Sequence, residues 1–167
     1  METITSKRTS TEALITLYDL HTKLFGNVLA DISDKDAQNR LGTKANHIAW
    51  IAGSLVYSRY GLANIFGVDM KQNSEKLFED FKGIQDNITY PPLAEFKKDW
   101  ESVTPVLKNA LVNLGEDQLN GPDPFNMPGG DFTLFDSLTF SIDRESYCIG
   151  QIGLYRRLLG YEAMKYS

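Results

Sequence analysis

Apolar side chains recur at alternating three- and four-residue steps in four long stretches of this chain, and strand-like alternation is nearly absent. That period belongs to a helix with one buried face, so it confines the chain to an all-α fold. The first stretch covers about residues 11–32. It sets Leu14, Leu17, Tyr18, His21, Leu24, Phe25 and Val28 on one side, with Thr9 or Ser10 placed to cap it. The second covers about 43–66, lines up Ile48, Ala52, Leu55, Arg59, Leu62 and Phe66, and ends at Gly67. A short helix is expected around 74–81, and Tyr90-Pro91-Pro92 then interrupts helical structure. The third stretch, about 93–114, carries Leu93, Phe96, Trp100, Val103, Leu107, Ala110 and Leu114, and Pro105 is expected to kink it or split it near Ser102. The fourth opens at a capping box formed by Thr133 and Asp136 and runs to about Leu159, with Gly160 as its stop. Its inward residues are Leu134, Leu138, Ser141, Glu145, Cys148, Ile152, Tyr155 and Leu159.

Residues 115–131 are rich in Gly, Pro, Asn and Asp and read as one long loop. Four amphipathic helices with one long connection before the last predict a four-helix bundle. All 167 residues fit one domain, a length that buries a substantial core.

Charge and composition narrow the function. A net charge of −5 opposes nucleic acid as a partner. The polar start, Met1 to Ser10, lacks the apolar core of a signal peptide, and the uncharged stretch 45–58 is shorter than the roughly 18 residues that span a bilayer. A cytoplasmic protein without membrane contact is expected. One cysteine allows no internal disulfide, and two histidines allow no three-histidine metal site within one chain.

Two segments carry a specific likeness. They are Asn46-His47-Ile48-Ala49-Trp50-Ile51-Ala52-Gly53-Ser54-Leu55-Val56-Tyr57-Ser58-Arg59 and Arg144-Glu145-Ser146-Tyr147-Cys148-Ile149-Gly150-Gln151-Ile152-Gly153. Both resemble the DinB/YfiT-like superfamily of helical bundles. The likeness extends over nearly the whole chain, including the break at Tyr90-Pro91, the helix of Trp100 and the long loop before the last helix. In the family the first segment typically reads Trp-x-x-Gly-His-Leu and the second His-Glu-x-Tyr-His-x-Gly-Gln. The resemblance implies a cleft in which three histidines hold one divalent ion such as zinc or nickel. It also implies that some relatives are transferases or isomerases acting on low-molecular-weight thiols. The spacing makes chemical sense, because side chains four apart on a helix stand one above the other and reach one ion, while a third ligand comes from a facing helix.

In this chain the three ligand positions hold Ser54, Arg144 and Cys148. Serine is a poor zinc or nickel ligand, and a permanently charged guanidinium repels a divalent cation. The family's metal is therefore expected to be absent. Arg144 has two open readings. A carboxylate from another helix pairs with it, or it faces a solvated cleft and, with Arg59, attracts a small anion. Cys148 reads as an inert buried thiol or as a thiolate activated by Arg144 one turn away. His47 reads as a hydrogen-bonded residue near a helix start or as a polar group at the cleft mouth. His21 reads as a core histidine, or as part of a rebuilt His2Cys site with His47 and Cys148. Glu145, Tyr147 and Gln151 match the family motif and are expected to hold the last helix against its neighbours. Trp50 and Trp100 read as core anchors, and Gly53, Gly150 and Gly153 as points of close helix approach.

The functional expectation is a non-catalytic binding or interaction module for a small anionic ligand, present as a homodimer. The alternative is a metal- or Cys148-dependent transferase or isomerase acting on low-molecular-weight thiol conjugates.

Overall fold

Helix α1 (Ser10–Val28) opens the computed structural model, which describes residues 10–166. The Thr9 cap lies outside the described residues, as does the side chain of Ser10. Helix α1 stops four residues before the expected 32. Asp31 takes a left-handed conformation (φ 63°), and the buried Arg156 donates from Nη1 to the carbonyls of Val28 (2.7 Å) and Ala30 (3.0 Å). These are carbonyls that a helix end leaves without partners.

A single helical turn, α2 (Asp34–Ala37), follows. Asp34 Oδ1 accepts from the backbone N–H of Leu93 (2.8 Å), and Gln38 Oε1 accepts from that of Tyr90 (2.9 Å). The turn thereby fixes the Tyr90-Pro91-Pro92 break and the start of α4.

Helix α3 (Ile48–Ile65) begins five residues later than the periodicity suggests. His47 is the reason: its Nδ1 accepts from the Trp50 N–H (3.0 Å), which makes it the N-cap. Gly67 (φ 80°) ends the helix as expected, its left-handed turn closed by a bond from Val68 N–H to Ala63 O (3.1 Å). In place of one short helix over 74–81 the chain makes two 3-10 turns, Glu75–Leu77 and Glu79–Phe81. They seat Phe78 against Gly53. A Cβ at Gly53 would lie 2.3 Å from the Phe78 ring, so glycine is required at that crossing.

Helix α4 (Leu93–Val112) passes through Pro105 without splitting. Proline removes one donor from the ladder, but Val103 and Leu107 on either side are fully buried and hold the helix in register. The stretch 115–131 is not one structureless loop. Residues Glu116–Leu119 form α5, because buried Leu119 anchors the turn and Gln118 Oε1 accepts from the Gly115 N–H (3.1 Å). Further on, Pro122 pairs with Thr133 in an isolated bridge, and the Asp123 carboxylate accepts from Phe125 N–H (2.9 Å) and from the Ser137 hydroxyl. Helix α6 (Leu134–Leu158) starts at the expected Thr133/Asp136 capping box and ends before Gly160 (φ 89°).

The fold is all-α, with no strand among the described residues. Helices α1 and α3 each pack on both α4 and α6. The core between them is aromatic, with Phe25 stacked on Trp100 at 4.1 Å. No helix is long and apolar enough to cross a membrane among the described residues.

Candidate functional site

At the centre of the core sits a charge. Arg59 of α3 is completely buried, and its guanidinium makes a two-point pair with Glu145 of α6: Nε to Oε1 at 2.6 Å and Nη2 to Oε2 at 2.8 Å. Nη1 donates to the hydroxyls of Thr22 on α1 (2.9 Å) and Thr104 on α4 (2.7 Å). Above and below lie the Tyr18 ring, 3.9 Å from Cζ, and the Trp100 ring, 3.4 Å away. All four long helices thus contribute to one arginine. Two-point carboxylate geometry and stacking on aromatic faces are what guanidinium does best in a dry environment. Burial alone would raise the Glu145 carboxyl. The Arg59 charge and hydrogen bonds outweigh it, with a contribution from His21, whose Nδ1 lies 3.4 Å from Oε2, and hold the carboxyl below its ordinary range. Burial pushes the Tyr18 hydroxyl up to about 12, so it stays protonated and donates to Thr104 O (2.9 Å).

One residue away on the same two helices, the arrangement changes. Arg144 of α6 is half-buried, and it donates through Nη2 to Ser54 Oγ (2.5 Å) and through Nη1 to Ser58 Oγ (3.1 Å), both on α3. Among the described residues no carboxylate lies within ion-pair distance of it. The reading in which a carboxylate from another helix pairs with Arg144 is therefore not met, because the groups that α3 presents to it are the hydroxyls of Ser54 and Ser58. The expectation that Arg59 joins Arg144 in attracting an anion also fails: Arg59 is sealed from solvent, every nitrogen of its guanidinium is hydrogen-bonded, and its charge is met by Glu145.

Cys148 is buried one turn along from Arg144. Burial pushes its thiol above the ordinary value, and Arg144 pulls it down by less than burial raises it. The activated-thiolate reading loses its physical basis, since the neutral thiol is the poor nucleophile. The rebuilt His2Cys site does not form either. His47 spends Nδ1 on the α3 cap, His21 faces Glu145 from α1, and no group of three His, Cys, Asp or Glu side chains fit to hold a metal occurs among the described residues. Nor do Ser54, Arg144 and Cys148 together suit a divalent ion, because the Arg144 guanidinium is hydrogen-bonded across to Ser54. Tyr147 is 68% exposed and does not brace α6 as expected, because it points away from the core. Gln151 is half-buried and makes no hydrogen bond among the described residues.

No family model matches the chain. No curated protein matches it either. A solved structure described as a conserved protein from Enterococcus faecalis superposes with a TM-score of 0.70 at 15% identity, covering 91% of this chain and 98% of that one. At such identity the likeness shows the fold alone.

Two cavities flank the buried ion pair. One of about 280 Å³ lies between α1 and α4, and includes Thr22, Trp100 and Thr104 in its wall. The other, about 220 Å³, lies between α1 and α6, with His21, Asp143 and Ser146 in its wall. Neither is lined by Ser54, Arg144 or Cys148. Sequence reasoning missed Arg156, whose end-to-end role in closing α1 carries no local signal in a run of basic residues near a helix end.

Proposed function

We propose that this chain is a four-helix bundle of the DinB/YfiT type that works as a binding module for a small anion, without the metal chemistry of the family it resembles. One observation carries the reading. Arg144 keeps a permanent positive charge at the Ser54 position on α3, held by neutral hydroxyls and uncompensated by any carboxylate among the described residues. A half-buried guanidinium in that state gains by taking a carboxylate or phosphate oxygen. The serine hydroxyls orient it and also supply acceptors or donors at the edge of the site. The net charge of −5 supports a small ligand over nucleic acid.

The test is a titration with acetate, inorganic phosphate and sulfate, followed through backbone amide shifts of α3 and α6 at low salt. Saturable shifts around Ser54, Ser58 and Arg144 in the native protein, lost in Arg144→Gln, are the expected result. Absence of saturable shifts with all three anions overturns the reading. Stoichiometric zinc or nickel in protein purified without chelator, removable together with a change at Cys148, overturns it as well.

A further inference from the structure

The cavity of about 220 Å³ between α1 and α6 is bordered by two facing stripes: Leu14, Leu17 and His21 on α1, and Ile142, Asp143 and Ser146 on α6. Three of these side chains hold polar groups that the chain itself leaves unanswered. His21 is only 4% exposed, and its Nδ1 edge faces Glu145 Oε2 in a loose contact of 3.4 Å. A carboxylate only accepts, so the hydrogen of the neutral ring belongs on Nδ1 and its lone pair on Nε2. Among the described residues nothing donates to that Nε2. A ring so deeply buried with an unused acceptor is costly to keep unless something answers it.

The other two groups stand on α6. A serine inside a helix commonly returns its hydroxyl to the carbonyl four residues back, as Ser141 does to Ser137 (2.8 Å). Ser146 makes no hydrogen bond among the described residues. Asp143 is exposed at the rim and has no ion pair among them either. Its neighbour Arg144 reaches the other way, to Ser54 and Ser58 on α3. The remaining wall is apolar. Ile142 is buried, Leu14 is half-buried, and Leu17 is 44% exposed at the mouth, where an α1 facing only water would carry a polar residue.

We propose that this cavity binds a small primary amine with an apolar body, on the scale of one aromatic ring and a short tail. An ammonium carries three donors. The wall offers three acceptors: Nε2 of His21, the Asp143 carboxylate and the Ser146 hydroxyl oxygen. The Asp143 charge selects a cation over an anion of the same shape. The body of the ligand lies against Leu14, Leu17 and Ile142. Size sets the scale, because an apolar cavity of about 150 Å³ already accepts a benzene ring, while pockets for drug-sized ligands start at roughly 300 Å³. Arg144 is not in this wall, so the site stands apart from the anion-binding reading and fails or succeeds without it.

A titration of the full chain with 2-phenylethylamine, followed through backbone amide shifts at low salt, tests the proposal. It is run at about pH 8, where imidazole is ordinarily neutral. Saturable shifts are expected along 14–21 of α1 and 139–146 of α6. Phenylacetate, with the same ring and the opposite charge, and ethylamine, with the charge and no ring, should each bind at least tenfold more weakly. Asp143→Asn, a change at an exposed position, should weaken 2-phenylethylamine at least fivefold. His21→Phe keeps a ring and removes the acceptor, and should weaken it at least tenfold. No saturable binding of 2-phenylethylamine to the native chain overturns the proposal. So does phenylacetate binding equally well, or an affinity unmoved by Asp143→Asn, because the cavity would then be recognising the ring alone.

Discussion

Arg59 and Arg144 reach across the same two helices, α3 and α6, one residue apart at each end. Arg59 is sealed from water, doubly bonded to Glu145 and stacked between Tyr18 and Trp100. Arg144 is half-buried and touches two serine hydroxyls. Same residue type, same pair of helices, opposite consequences: what separates them is the counter-charge. A buried guanidinium with its carboxylate is an internal fastener. A guanidinium with only neutral partners remains open to an anion from solution.

The largest expected effect breaks the fastener. Glu145→Gln leaves Arg59 buried without a counter-ion and should cost about 3–5 kcal/mol in urea unfolding. The double variant Arg59→Met, Glu145→Leu should recover most of that loss, since a buried pair adds little net stability over well-packed apolar side chains. Loss of the same size in the double variant would mean that the pair itself, and not the orphaned charge, supports the fold.

The pair also predicts an acid limit. The Glu145 carboxyl is lowered in the folded state, so the unfolded chain binds its proton first as pH falls. Its contribution is present above the ordinary carboxylate range and is lost as pH drops through the lowered value. Arg144 has no such partner to lose. In Arg59→Met, Glu145→Leu the acid unfolding midpoint should move to lower pH, whereas in Arg144→Gln it should stay in place. An unmoved midpoint in the double variant would assign acid unfolding to other carboxylates.

Next in size is the α3 cap, which stands at the far end of the helix that carries Arg59. Burial holds the His47 imidazole below the ordinary 6.5. Neutral Nδ1 is the acceptor, so protonation removes the cap. Stability should be full above about pH 7 and fall with acidification through the lowered value, by about 1 kcal/mol, the usual worth of an N-cap. His47→Asn keeps an acceptor and should flatten that slope. A slope unchanged by the substitution would place the titrating group elsewhere.

The smallest effect reads Arg144 directly. Arg144→Gln should change unfolding free energy by less than about 1 kcal/mol, in line with a partly solvated side chain that has no ion pair. It should, however, slow the reaction of Cys148 with a thiol reagent further, because Arg144 is the charge that pulls the thiol down. Faster reaction in the variant would show that Arg144 shields Cys148 sterically and does not tune it.

Much of the fold was legible because helical burial follows a local period. The Thr133 capping box, the Gly67 and Gly160 stops and the Tyr90-Pro91-Pro92 break are short-range chemistry, and each stands where the residues put it. The helix starts and ends that moved did so for tertiary reasons: Arg156 closes α1 from 128 residues away, and the His47 ring claims the first turn of α3. The loop before α6 hid a turn of helix because four residues are too few to show a period. The candidate site was less legible. Ser54 and Arg144 do meet, but the role of Arg59 could not be read from its place on an apolar stripe, where a charge looks like a cleft residue.

By itself the sequence determined the helical class, the stops at Gly67 and Gly160 and the Thr133 capping box, all of which follow from residue identity and near-neighbour spacing. Which arginine is neutralised was decided only in three dimensions. Glu145 and Arg144 are adjacent in the chain, and a helix turns successive side chains about 100° apart. The packing of α6 on α3 therefore had to choose which of them faces the core.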